Sequence, residues 1–170
     1  MPLLVRLVKA VRIVRIFRAV LGDVKELQKI EIACGLSPWT LEGYISEVAQ
    51  RDTAAFIARA DDGEAVGFLI GRVPTAPEGA AEIFNIGILP EMRRRGLGNA
   101  LLAEFLEVCR NCRASEVWLE ARASNHEAVS FYRVNGFETN GTRPNFYQNP
   151  SEDAQLMTLK LVHESPLTKS

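Results

Sequence analysis

The chain has 170 residues, 47% of them hydrophobic and 24% charged, with a formal net charge of −1. That length suits one domain with a core of its own, and the composition is that of a soluble globular protein. No run of about 18 apolar residues is present to span a membrane, and so small a net charge gives no general attraction to nucleic acid.

The first 18 residues carry Arg6, Lys9, Arg12, Arg15 and Arg18 and no acid, which leaves 15 cations against 21 acids in the rest of the chain. Basic residues at every third position drift around a helix and hold no single face. The apolar runs between them are too short for a secretory signal. Residues 1–11 therefore read as a basic extension, with a transit-peptide composition as the rival, ahead of a domain over 12–162 and a short tail over 163–170. The three cysteines cannot all pair with one another. Cys109 and Cys112 form a C-x-x-C, but no second ligand pair accompanies it and the chain has only two histidines, His126 and His163. Reduced thiols, no metal and a cytoplasmic setting are the expectation.

A first strand is expected near 12–18. Asp23 reads as an N-cap, and Val24, Leu27, Ile30 and Cys34 make the apolar face of a helix that Gly35 ends. After a Ser37-Pro38 loop, Trp39 and Thr40 lead into a short helix with Leu41, Tyr44, Ile45 and Val48 inward. Strands follow at 54–60 and 65–73, joined by the turn Asp61-Asp62-Gly63-Glu64. Another spans 81–89 and stops at Pro90. The strongest helical stripe is Leu97, Leu101, Leu102, Phe105, Leu106 and Cys109. A strand at 115–121, a helix at 126–135 ended by Gly136, and strands at 137–141 and 154–162 complete the order, with a long loop at 142–153. Early hairpins and late helical crossovers imply a mixed α/β sheet.

The sharpest local signal is Arg93-Arg94-Arg95-Gly96-Leu97-Gly98, between a strand and that strongest helix. A helix start presents unpaired N–H groups and the positive end of its dipole. Glycines admit an anion close to the backbone, and arginines add charge. The segment is an anion cradle, or, more plainly, a solvated basic turn. A Walker loop is excluded because Gly-Lys-Ser/Thr is missing, and a dinucleotide fingerprint because Leu101 stands at its third glycine.

Arg93-x-x-Gly96-x-Gly98, following Asn85-Ile86-Gly87-Ile88-Leu89-Pro90, resembles the acetyl-CoA signature of the GNAT acetyltransferase superfamily. The likeness runs from about Ile16 to Leu161. It is nearest to the ribosomal-protein-alanine N-acetyltransferases, through Phe84-Asn85-Ile86, Trp118-Leu119-Glu120-x-Arg122-Ala123-Ser124-Asn125, Phe131-Tyr132-x-x-x-Gly136-Phe137 and Asn145-Phe146-Tyr147 with Glu152-Asp153-Ala154. The resemblance implies the GNAT (acyl-CoA N-acyltransferase) fold, an α/β architecture with a mixed, mostly antiparallel central sheet flanked by helices. It implies acetyl-CoA as co-substrate, with Ile86, Gly87 and Ile88 offering strand backbone to the pantetheine arm. Arg94, Arg95, Gly96, Leu97, Gly98 and Asn99 would wrap the pyrophosphate, and Asn125 would touch the cofactor further along.

It also places the family's base at Glu120 and its acid at Tyr132. Glu120 ends an apolar strand, where partial burial suits a carboxylate to accept a proton. A solvated strand-end carboxylate is the plain alternative, and a core aromatic is the plain alternative for Tyr132. A backbone N–H among 86–88 would hold the thioester oxygen. The acceptor would be a protein N-terminus, in the resemblance an alanine of a ribosomal protein, lying between Trp39 and Phe146-Tyr147. An α-amine, with a pKa of about 7.7–8.0 against roughly 10.4 for lysine, asks only a modest base. Two departures bear on the acceptor: Leu89 stands where relatives often carry an acid before proline, and Gly87, in place of a small side chain, should loosen its strand. The rivals are acetylation of lysine side chains or a small amine, and a CoA-binding sensor without catalysis. A nucleic-acid partner is not expected, and the assembly expected is a monomer or weak dimer.

Overall fold

The computed structural model describes residues 13–163; the basic extension over 1–11 and most of the tail over 163–170 lie outside them. The elements are β1 (Val14–Arg18), α1 (Val24–Ala33), α2 (Leu41–Val48), β2 (Thr53–Ala60), β3 (Ala65–Arg72), β4 (Ala80–Ile88), α3 (Leu97–Asn111), β5 (Glu116–Arg122), α4 (His126–Val134), β6 (Glu138–Tyr147) and β7 (Glu152–Lys160). The seven strands form one sheet in the order β1-β2-β3-β4-β5-β7-β6. Only β4 and β5 pair in parallel, α3 being their crossover; every other pairing is antiparallel. This is the GNAT fold.

The two-residue period of the strands separates two cores. On one face Phe56, Ala58, Leu69, Ile83, Val117 and Leu119 pack against Leu101, Leu102 and Phe105 of α3 and against Val129 and Tyr132 of α4. On the other, Ala55, Ile57, Phe68 and Ile70 pack against Val24, Leu27 and Ile30 of α1 and Tyr44 of α2. Strands β2 and β3 are covered on both faces, so their sequences read as nearly continuous apolar runs.

Several expectations change. Ile45, expected inward, is 44% exposed. The packed face of α2 is Leu41, Tyr44 and Val48, and Ile45, about 100° round the helix from Tyr44, falls off it. Asp23 does not cap α1 with its side chain. It reaches back to the Val20 N–H at 2.9 Å and pairs with Arg59 at 2.7 Å. Most of the expected loop over 142–153 is strand: β6 continues to Tyr147 and only residues 148–151 connect it to β7. Gly87 does not loosen β4. A Cβ there would lie 2.8 Å from Phe68 Cε1 and 3.3 Å from Ile30 Cγ2, so the missing side chain is what lets α1 and β3 close on the strand.

Candidate active site

The site begins with a fault in β4. Opposite β3, Ile70 pairs with Asn85 and Gly71 with Ile83, so Phe84 is an extra residue, a β-bulge. The bulge reverses the strand's facing. Ile83 belongs to the α3 face, Phe84 to the α1 face, and Ile86 and Ile88 pack again on the α3 face. The parallel pairing with β5 ends at the same place, on the rung Ile83–Leu119. Beyond it the two strands part, and the backbone of 86–88 on one side and of 120–122 on the other is left without that partner.

On the α3 side the parting opens into a cleft of about 930 Å³. Its walls include Ile86, Gly87 and Ile88 of β4, Arg94, Gly96, Leu97, Gly98 and Asn99 at the head of α3, and Asn125 and Phe131 of α4. The first helical hydrogen bond of α3 is Ala100 N–H to the Gly96 carbonyl, and no side chain caps the helix. The N–H groups ahead of Ala100 are left for a ligand. Gly96 has φ +80° and Arg94 φ +62°; left-handed residues alternating with ordinary ones turn successive N–H groups toward one point, an anion-binding concavity. Gly98 lets α4 approach, since a Cβ there would lie 3.2 Å from Phe131. The donor set therefore fits a diphosphate.

The profile of the acetyltransferase (GNAT) family matches residues 24–137. The chain belongs to the GNAT acetyltransferase family. It is an acyl-CoA-dependent N-acetyltransferase. A Bacillus subtilis relative, provisionally named a [ribosomal protein bS18]-alanine N-acetyltransferase, is 33% identical over 137 residues, which are 81% of this chain and 89% of its own. The Escherichia coli (strain K12) enzyme named [ribosomal protein bS18]-alanine N-acetyltransferase is 30% identical over 141 residues, covering 82% of this chain and 92% of its own. The crystal structure of the ribosomal-protein-S18-alanine N-acetyltransferase from Escherichia coli superposes with a TM-score of 0.80 at 27% identity, over 91% of this chain and 98% of that one.

Of the GNAT signature arginines, Arg94 lines the cleft and Arg95 does not. Arg93, the first residue of the signature but not among those expected to wrap the pyrophosphate, lines it too: its Nε donates to the Ile88 carbonyl at 3.0 Å, and its guanidinium lies 3.7 Å from Glu127. It ties the anion loop to the end of β4. Asn125 accepts from Ala128 N–H at 3.1 Å, capping α4 and leaving its NH₂ group for a ligand.

Glu120 and Tyr132 do not line the cofactor cleft. Glu120 points to the opposite face of the sheet with Glu116, Trp118 and Arg122, while Val117, Leu119 and Ala121 face α3. Its carboxylate accepts from Arg143 Nη1 at 2.8 Å and its side chain is 13% exposed. Tyr132 is buried between Phe131 and Phe137, each ring centroid 5.2 Å away, and burial pushes its hydroxyl pKa up.

The residues expected to hold the acceptor have structural partners. Trp39 stacks between Tyr44 and Phe84, at 5.1 and 5.6 Å. Tyr147 donates its hydroxyl to the Glu120 carbonyl at 3.1 Å, and burial, then the Glu120 charge, raise its pKa. Phe146 is 38% exposed, with the Arg143 guanidinium 4.5 Å from its ring. Three groups were not anticipated. Glu31 is fully buried in α1, accepts from Trp39 N–H at 3.0 Å and from Asn85 Nδ2 at 2.9 Å, and has its pKa raised by burial. It joins the Trp39 loop to the bulged strand. Arg122 donates to Glu152 at 3.2 Å and to Ser37 at 3.3 Å and lies over Tyr147, so it bridges the two loops that flank the open face. Glu82, on the same face, has its pKa pushed up to about 7 by burial and by Glu120. A carboxylate two positions outside the Phe84-Asn85-Ile86 motif carried no signal of its own in the sequence.

Proposed function

We propose that this protein acetylates the α-amine of a protein N-terminus, an alanine of a ribosomal protein being the natural target, with acetyl-CoA as the donor. One observation carries the reading. The β4–β5 parting joins a cleft whose donors suit a diphosphate to a partly exposed face on which a carboxylate, Glu120, stands just past the last parallel rung. The names of the Bacillus and Escherichia relatives support the acceptor class.

Acetyl-CoA supplies an activated acetyl group. The N–H groups at the head of α3 and the Arg94 guanidinium hold the diphosphate. The edge of 86–88 that β5 leaves unpaired lies along the pantetheine arm and offers an N–H to the carbonyl oxygen, where negative charge builds during transfer. Gly98, Asn99 and Asn125 complete the cofactor wall. Glu120 takes a proton from the acceptor amine, directly or through water, and Arg143 keeps its carboxylate anchored. Tyr132 returns a proton toward the sulfur. Trp39, Phe146 and Tyr147 border the acceptor's path, with Trp39 and Tyr147 shaping it through the partners they already hold. The reading keeps the whole reaction in one domain over 12–162 and in the cytoplasm, where both substrates are made.

Turnover with acetyl-CoA on two peptides tests the acceptor: one begins with free alanine and contains no lysine, the other has a blocked N-terminus and an internal lysine. The free-alanine peptide is the better substrate. Faster turnover of the blocked peptide reassigns the acceptor to side-chain amines.

A further inference from the structure

Two carboxylates share the acceptor face where the strands part. Glu82 of β4 sits opposite Trp118 of β5 in the parallel register, and Glu120 is the next residue of β5 on that face. Adjacent-strand positions offset by two lie roughly 7–8 Å apart at their Cα atoms, within reach of long side chains. Glu82 also borders a second cavity, of about 350 Å³, with Asp52, Arg72, Thr75 and Trp118. That cavity shares no lining residue with the cofactor cleft. Glu82 thus stands between Glu120 and a separate opening to solvent.

The groups facing it are Arg72 of β3, Glu47 of α2, Asp52 before β2, and Glu120. Arg72 is the nearby cation, and it donates to both Glu47 carboxylate oxygens from Nε and Nη2, with Asp52 3.7 Å away. Glu120 is held by Arg143. Among the described residues no hydrogen bond or ion pair reaches the Glu82 carboxylate. A half-buried carboxylate with no fixed partner is free to take up and give off a proton.

We propose, resting on the α-amine reading above, that Glu82 is a proton relay: it receives from Glu120 the proton that the acceptor amine gives up, and releases it into the cavity beside Arg72. An α-amine arrives mostly as ammonium at pH 7. Its nitrogen sheds one proton before it can attack, and that proton leaves by Glu120 and Glu82. The C–N bond then forms and the C–S bond breaks. The nitrogen's second proton balances the one Tyr132 gives to sulfur, so the products are amide, CoA thiol and one proton in solvent. Glu82 acts through Glu120 and does not itself contact the substrate. Its raised proton affinity, near neutrality, matches a group that must both accept and release at working pH.

The test uses the full chain, acetyl-CoA and the free-alanine peptide, with Glu82→Gln and Glu82→Ala variants. In the wild type, kcat rises with pH through about 7 as Glu82 ionises. In Glu82→Gln that limb is lost and kcat at pH 7 falls about tenfold or more, with KM for acetyl-CoA unchanged. Sodium formate restores kcat to Glu82→Ala, whose cavity admits it, and not to Glu82→Gln. An unchanged pH profile in Glu82→Gln overturns the relay, and so does a lowered kcat that keeps the wild-type profile and resists formate in both variants. A wild type that is inert toward the free-alanine peptide but active on lysine defeats the α-amine reading instead.

Discussion

At the scale of single residues, Glu120 and Tyr132, the base and acid proposed above, lie on opposite sides of the sheet. Glu120 is an acceptor-face residue whose charge is balanced by an exposed arginine, Arg143. Tyr132 is a core residue of the opposite face. Replacing Glu120 by Gln removes the proposed base and keeps the shape. We expect kcat to fall by about 10²–10⁴-fold. Acetyl-CoA affinity should stay the same, because Glu120 does not line the cofactor cleft. Steady-state rates and calorimetric titration with acetyl-CoA read the two separately. Wild-type kcat in this variant removes Glu120 from the chemistry.

At the scale of elements, the start of α3 is where sequence and structure agree most closely. Gly96 holds φ +80° at the N-cap, and a Cβ there would meet nothing within 4 Å. Gly96→Ala therefore adds no clash, only the cost of a left-handed alanine, about 1 kcal/mol or somewhat more. If the loop keeps its shape, stability falls by that amount; if it relaxes, CoA affinity falls roughly five- to thirty-fold instead. Urea unfolding together with calorimetric CoA titration measures both, and no loss in either means the loop does not need this conformation. The periodicity of α3 and the β2–β3 hairpin were legible because their sequences state their own structure: an apolar stripe with a 3.6 period, and two apolar runs around Asp-Gly. The second half of β6, expected as loop, was not. Pro144 and Asn145 give it the composition of a loop, and it is held as strand by pairing along β7 with irregular register. Glu31 was equally hidden. It looks like a solvated turn of α1, yet it is fully buried because Asn85 and the Trp39 backbone, distant in the chain, come to meet it. The glycine turn ahead of α3 and the order of the elements could be read locally. The bulge at Phe84, which opens the cleft, exists only in the register between strands.

At the scale of the whole molecule, the sheet carries a closed core toward α3 and, toward α1, a core that stops at β4 and leaves Trp118, Glu120 and Leu156 partly exposed. Placing carboxylates on that unfinished face has a cost in stability, and Glu82 shows where it falls. Burial and the neighbouring Glu120 lift its pKa from 4.5 to about 7, so the folded chain holds a proton that the unfolded chain has already lost. A carboxyl with a raised folded pKa contributes stability that is fully present below its unfolded value and is lost as pH rises through the folded one. The loss here runs from about pH 4.5 to about pH 7. Glutamine at position 82 is neutral throughout and loses nothing over that window. Glu82→Gln should therefore melt at a higher temperature than wild type at pH 8, with the gap narrowing as pH falls toward 5. Thermal melts of both proteins at pH 5, 6, 7 and 8 check it, with the difference between the two curves isolating Glu82 from Glu31, whose raised pKa is common to both. A gap that is absent at pH 8, or that widens on acidification, would mean that the folded protein does not hold a proton on Glu82 near neutrality. The same melts are independent of turnover, so they separate the electrostatics of this face from any role it has in acetyl transfer.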